Sequence, residues 1–185
     1  MPQLTVRATR ATLHNRGEPL LERLSGLPPA ITPESTVLVL GSFPSAASLA
    51  AKQYYAHPQN RFWPILGACL GIDLVNLPYR ARIKAVNAAG IGIWDAYASC
   101  ERTGSLDSAI RNAAFNDFAR VRRQAPGLRC ACFNGRAAAR AARHLEALGF
   151  DIRELPSTSP ANASQSFSFK LERWRHALAE ATGQA

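Results

Sequence analysis

Apolar and polar positions alternate in blocks along this chain, and the blocks change period. Val37-Leu38-Val39-Leu40 is a short, β-branched-rich apolar run ending at Gly41, which predicts a buried strand. Arg61–Leu70 has helical spacing, with Phe62, Ile65, Leu66 and Cys69 on one side, Asn60 placed to cap it and Gly71 to end it. Tyr79–Ala89 predicts a second helix, and Ile91-Gly92-Ile93-Trp94 a second strand that stops at Asp95. Asp107–Gln124 reads as broadly helical with a break near Asn112. Leu128–Phe133 is a third strand, Arg136–Leu148 an Ala-rich helix closed by Gly149, and Phe150–Leu155 a fourth strand. A Ser-rich loop over Pro156–Ser166 precedes a last helix striped by Leu171, Trp174 and Leu178. Residues 1–34 mix Arg, Pro and Leu without a clear period; they read as an N-terminal arm with a short helix near Leu20–Leu24, ahead of a domain over 35–185.

Strands alternating with helices predict an α/β fold: a three-layer sandwich with a central four-stranded parallel sheet flanked by helices. In such sheets ligands sit beyond the carboxyl ends of the strands. Those ends carry Gly41–Asn60, Asp95–Ser105, Asn134-Gly135 and Pro156–Ser164, remote in sequence and predicted to converge in space.

Composition narrows the class. The chain has 185 residues, 47% hydrophobic and 19% charged, enough for one domain with a real core. No apolar run is long enough for a membrane span or a signal peptide, so a cytoplasmic location is expected. The formal charge is +9, from 22 basic and 13 acidic residues, and only Lys52, Lys84 and Lys170 among the basic ones are not arginine. Arginine forks onto phosphate and stacks on bases, so this balance points to nucleic acid; a GC-rich genome would also enrich Arg and Ala together. Cys69, Cys100, Cys130 and Cys132 form no C-x-x-C pair and read as buried reduced thiols, with Cys130 and Cys132 on one strand face and no cofactor implied.

The loop after the first strand is richest in chemistry. Gly41-Ser42-Phe43-Pro44-Ser45 leads to Gln53-Tyr54-Tyr55-Ala56-His57-Pro58-Gln59-Asn60-Arg61-Phe62-Trp63. Phe43, Tyr54 and Tyr55 offer flat faces to a base, and His57, Gln59 and Asn60 supply donors and acceptors. The glycines and lysine of a phosphate-binding loop are missing. On residue types alone the segment reads equally as a base-holding loop or as a core-capping one. Asp95 accepts hydrogen bonds when ionised, which suits a base presenting an N–H or a water; a helix cap or a salt bridge to Arg102 is the alternative. Asn134-Gly135 before a helix is an anion-holding turn or a plain one. Ser157, Thr158, Ser159, Asn162 and Ser164 are small donors for phosphate oxygens, stiffened by Pro156 and Pro160.

These segments resemble the uracil-DNA glycosylase superfamily. Gly41–Ser45 followed by Tyr55–Trp63 is similar to its motif 1, nearest the mismatch-specific branch with its "G-x-N-P-G … F-A-x-P-x-N-R-F-W" layout. Leu155-Pro156-Ser157-Thr158-Ser159-Pro160 resembles motif 2, the loop that enters DNA. The long "Q-Y-Y-A-H-P-Q-N-R-F-W" points to the hypoxanthine-DNA glycosylase-like subgroup, over roughly residues 35–182. The resemblance implies a base-excision repair enzyme that flips a deaminated base, hypoxanthine foremost, out of double-stranded DNA and hydrolyses its glycosidic bond. No obligate protein partner is implied. Uracil or xanthine specificity, or a non-catalytic nucleic-acid module, are the alternatives. Where the mismatch-specific branch has the Asn that positions water, this chain has Phe43. The resemblance therefore places catalysis on Asn60 and Asp95, base binding on Ser42, Phe43, Tyr55, His57 and Asn134, and DNA contact on Arg61, Pro156, Ser157, Thr158 and Ser159. Lys52 is the only lysine near the motif, which implies a monofunctional glycosylase without a Schiff-base step.

Overall fold

A computed structural model describes residues 22–183. Four parallel strands form the central sheet: β2 (Val37–Gly41), β3 (Ile91–Asp95), β6 (Cys130–Asn134) and β7 (Asp151–Leu155), in the order β3-β2-β6-β7. The strands β2 and β3 are buried at every residue, as expected of a parallel sheet covered by helices. Around the sheet lie α1 (Ala46–Ala51), α2 (Phe62–Leu70), α3 (Tyr79–Ala88), α4 (Phe118–Gln124), α5 (Arg136–Ala139), α6 (Ala142–Glu146) and α7 (Phe167–Thr182). The α/β class and the four-stranded parallel sheet are as the sequence predicts.

Register fixes the site. Gly41 pairs with Asp95, Leu40 with Phe133, and Asn134 with Leu155, so the four strands end level with one another. The chain starts at β2 and places β3 on one side and β6 on the other. The strand order therefore reverses between Gly41 and Asn134, the point at which open α/β sheets leave a crevice.

A second sheet departs from the predicted pattern. The strands β1 (Arg23–Ser25), β4 (Tyr97–Glu101) and β5 (Arg111–Phe115) form an antiparallel ribbon in the order β1-β4-β5. The 107–124 segment is thus a short 3-10 turn at Asp107–Ala109, then β5, then α4, and not one broken helix. Asn112 sits at φ 48, which a helix interior does not accept, and its side chain donates to Glu101 Oε2 at 2.9 Å. Asp117 then caps α4 by accepting from Arg120 N. β5 escapes the pattern because it is largely exposed and so carries no apolar alternation. Likewise the 136–148 helix is two short ones, parted where Ala141 N and His144 N bond three residues back.

Residues 22–34 lie along the domain. Arg23–Ser25 is a strand where a helix near Leu20–Leu24 is expected, and residues 20 and 21 fall outside the described ones. Ala30 exchanges backbone bonds with Ile93 at 2.9 and 3.0 Å, and Leu24, Leu27 and Ile31 pack on the core. The part of the arm over 1–21 lies outside the described residues.

β3 and β4 are nearly continuous. Ala96 and Tyr97, at the junction, donate to the carbonyls of Gly41 and Ser42 at 2.8 and 3.1 Å. The ribbon is thereby tied to the loop that follows β2.

Candidate active site

A cleft of about 740 Å³ opens at the carboxyl end of the parallel sheet. Gly41, Asp95, Asn134 and Leu155 line it from the four strand ends, and Pro156, Ser157 and Ser159 from the following loop. The predicted convergence of remote segments is what the structure shows.

The floor is built over Gly41. A Cβ on this residue would meet Asp95 Oδ1 at 2.4 Å and the Tyr55 hydroxyl at 3.1 Å, so both polar groups sit where any other side chain would go. Asp95 is only 3% exposed, and its Oδ2 has no hydrogen-bond partner among the described residues. Burial pushes its carboxyl up to about 7; Arg102 opposes the shift and Asp107 adds to it. The group therefore titrates near neutrality, as an acid–base residue does. Tyr55 lies at φ 53 and stacks on Phe62 at 3.6 Å between ring centroids. Burial, with the nearby Asp95 charge, raises its phenol far above the ordinary value, so it remains a neutral donor.

The side wall is a hydrogen-bond clamp centred on Thr158, which is fully buried. Its backbone N–H donates to Asn134 Oδ1 at 2.8 Å, Asn134 Nδ2 donates to its hydroxyl at 2.9 Å, and that hydroxyl donates to Asn60 Oδ1 at 2.9 Å. Asn60 Oδ1 also accepts from Phe62 N at 2.9 Å, which starts α2, while Arg61 N donates to the Thr158 carbonyl at 3.0 Å. Asn60 thus lines the cleft while its Oδ1 accepts from both the Thr158 hydroxyl and the first residue of α2, one position ahead of the Arg61 N-cap. The Ser-rich loop is anchored from behind by α7, where Trp174 Nε1 donates to the Pro156 carbonyl at 2.9 Å and Lys170 Nζ to the Asn162 carbonyl at 2.6 Å. Gly135, at φ 93 and ψ 165, permits a conformation that only glycine adopts, and a Cβ there would lie 2.7 Å from Ser157.

Nine of the twelve predicted site residues line the cleft: Ser42, Phe43, Tyr55, Asn60, Asp95, Asn134, Pro156, Ser157 and Ser159. Three do not. Thr158 is buried behind the wall, Arg61 is exposed beside it, and His57 Nδ1 accepts from Gln59 N at 3.2 Å in a turn outside the cleft. The alternative Asp95–Arg102 ion pair is not formed; Arg102 Nη2 donates to the Pro44 carbonyl instead.

The structure adds residues that sequence reasoning missed. Leu106, Asp107 and Ser108 extend the predicted Asp95–Ser105 segment along the rim, where Asp107 Oδ1 accepts from the Ser42 hydroxyl and Ser105 Oγ accepts from Ala46 N at 3.0 Å. Arg136 and Arg173 bring positive charge to the mouth. Asp107 followed by a helix-like stretch conceals a rim loop because its partner, Ser42, is 65 positions away. Among the described residues no three His, Cys, Asp or Glu side chains are grouped to hold a metal ion. Cys130 and Cys132 share a strand face, with sulfurs 4.0 Å apart, and all four cysteines are free.

This fold and cleft place the chain in a known class. The family model described as the uracil DNA glycosylase superfamily matches residues 28–180, and the chain belongs to that superfamily. A relative from Methanosarcina acetivorans, named hypoxanthine DNA glycosylase, is 39% identical over 135 residues, 72% of this chain and 85% of the relative. A second of the same name, from Methanosarcina barkeri, is 35% identical over 153 residues, 83% of this chain and 96% of the relative. The solution structure of a Methanosarcina acetivorans protein, described as a candidate uracil DNA glycosylase, superposes with a TM-score of 0.78 at 33% identity, covering 86% of this chain and 99% of that one. The chain is accordingly a DNA glycosylase, a hydrolase of N-glycosyl bonds, and its substrate is DNA.

Proposed function

We propose that this DNA glycosylase removes hypoxanthine from double-stranded DNA and leaves an abasic site with the strand intact. The observation that carries the mechanism is the Asp95 carboxyl, buried over Gly41 at the cleft floor with one oxygen unpartnered. The names of the two relatives support the substrate.

A base inside a duplex is out of reach, so the nucleotide is extruded into the cleft, most easily where pairing is already weakened by deamination. The cavity of about 740 Å³ falls in the usual range for a ligand pocket. Phe43 stacks on the base. Asp95, ionised, accepts a hydrogen bond from a water and draws its proton as the sugar carbon becomes cationic. This carboxylate, at the end of β3, packs against Gly41, two residues before Phe43, which stands where the mismatch-specific motif carries its Asn. Asn60 Nδ2 and the Asn134 amide complete the polar wall, with Asn60 donating to the same water. Donors fixed before the reaction lower the barrier without reorganising during it. Ser157, Ser159, Arg136 and Arg173 hold the flanking phosphates.

The monofunctional reading is supported by the lysines. None of the three lines the cleft among the described residues, and Lys170 Nζ is committed to the Asn162 carbonyl. A Schiff-base lyase needs a free amine at the sugar.

The test is a set of duplexes, each with one deoxyinosine, deoxyuridine, deoxyxanthosine or ethenoadenine. Alkali-labile sites should appear fastest with deoxyinosine, and no strand break should appear before alkali. Faster release of another base would replace the substrate assignment, and a borohydride-trapped protein–DNA adduct would replace the monofunctional one.

A further inference from the structure

Arg102 follows β4 directly and is 5% exposed. Its Nη2 donates to the Pro44 carbonyl, while Nε and Nη1 have no partner among the described residues. No carboxylate forms an ion pair with it among those residues. Removing a guanidinium from water without pairing it is expensive, and a structural brace for one carbonyl does not require a charge. The guanidinium carbon lies 5.1 Å from the centroid of the Phe43 ring. Phe43 lines the cleft and Arg102 does not, so the cation is set back from the cleft in contact with a ring of a lining residue.

We propose that Arg102 is a positioning residue for base departure: its charge, held behind Phe43, favours the anionic form of a base stacked on the other face of that ring. This inference rests on the glycosylase reading above. In the step it assists, the bond from the sugar carbon to the purine nitrogen breaks and its electron pair leaves with the base. The oxygen of water forms the new bond to that carbon, and the proton released passes to the Asp95 carboxylate. The base departs as an anion and takes a proton from solvent afterwards. Arg102 exchanges no proton; it acts through space across an apolar ring, where water screens little. The aromatic face also tolerates the cation well, which explains how the fold holds it there.

Two substitutions separate charge from structure. Arg102→Gln keeps a donor for Pro44 and removes the charge; Arg102→Lys keeps the charge. Single-turnover release of hypoxanthine should fall about tenfold in Arg102→Gln and recover in Arg102→Lys, with duplex affinity unchanged in both. A duplex carrying 2-fluorohypoxanthine, a better leaving group, should lose less than the hypoxanthine duplex in Arg102→Gln. Equal losses in both variants and with both bases would overturn the proposal. Should Arg102→Gln fail to fold, the wild-type protein on an abasic duplex still decides: hypoxanthine added to that complex should ionise at lower pH than in solution, read by ultraviolet absorbance. Ionisation at the solution pH or above overturns the proposal. A wild-type protein that releases no base yet ionises bound hypoxanthine early counts against the reaction, not against the charge assignment.

Discussion

Asp95 Oδ1 lies 2.4 Å from the point where a Cβ on Gly41 would be. These residues are register partners on adjacent parallel strands, and the glycine makes room for the carboxyl to fold back over the strand end. The same hydrogen atom in place of a methyl group admits the Tyr55 hydroxyl, 3.1 Å from that point.

Gly41→Ala should therefore displace Asp95 before it unfolds the protein. The expected outcome is a loss of base release on the order of 100-fold, the scale associated with a displacement of about 1 Å. Duplex affinity should barely change. Single-turnover kinetics with a binding isotherm checks the pair of effects.

The elevated Asp95 pKa, about 7, predicts opposite pH trends in activity and stability. The proposed mechanism uses the ionised form, so the rate of base release should rise as pH increases through about 7 and then level off. Stability runs the other way. The folded carboxyl holds its proton to higher pH than the unfolded one, whose ordinary value is 3.8. Raising the pH across that window therefore weakens the fold until the folded group is ionised too. Asp95→Asn should abolish this dependence, raise the melting temperature at pH 8 by several degrees and reduce base release by roughly 10²–10⁴-fold. Melting curves at pH 5 and pH 8 beside rates across that range test both halves.

Thr158→Val leaves the Asn134 amide and the Asn60 carbonyl without the hydroxyl that joins them. Burying polar groups with bonds unmade costs about 1–3 kcal/mol. Because Asn60 Oδ1 retains Phe62 N, α2 should stay intact while the wall loosens. Thr158→Ser should restore both stability and rate; denaturant unfolding of the two variants distinguishes loss of the hydroxyl from loss of the methyl.

Arg136 and Arg173 stand at the cleft mouth. If they meet phosphates, Arg136→Ala and Arg173→Ala should each weaken binding to damaged and undamaged duplexes alike. Each should also make the salt slope of log affinity shallower by about 0.9. Titrations at graded salt concentration read this directly; an unchanged slope would move the phosphate path elsewhere on the basic surface.

The sequence made the parallel sheet legible because burial on both sides leaves unbroken apolar runs, as at Val37–Leu40 and Ile91–Trp94. It made most of the cleft legible because polar segments interrupt the pattern just where those runs stop. The antiparallel ribbon was hidden for the converse reason. β5, Arg-Asn-Ala-Ala-Phe, is mostly exposed, and a single residue, Ala96, separates β4 from β3, so no punctuation marks the change of sheet. Residue type and the family resemblance both gave His57 a place in the site, whereas its Nδ1 accepts from Gln59 N in a local turn. Nothing in a linear pattern reveals that Thr158, which does not itself line the cleft, is the hub joining Asn60 to Asn134.

Ala96 and Tyr97 bond to the carbonyls of Gly41 and Ser42 where one strand passes from the first sheet to the second. The ribbon thereby acts as a mount for the loop that carries Ser42 and Phe43. Changes of length or twist between β4 and β5 would tilt Ser42 and Phe43 while Asp95 stays seated in the parallel sheet. On the proposed reading, the residues that meet the base, Ser42 and Phe43, thus rest partly on the ribbon, whereas the Asp95 carboxyl rests on the parallel sheet.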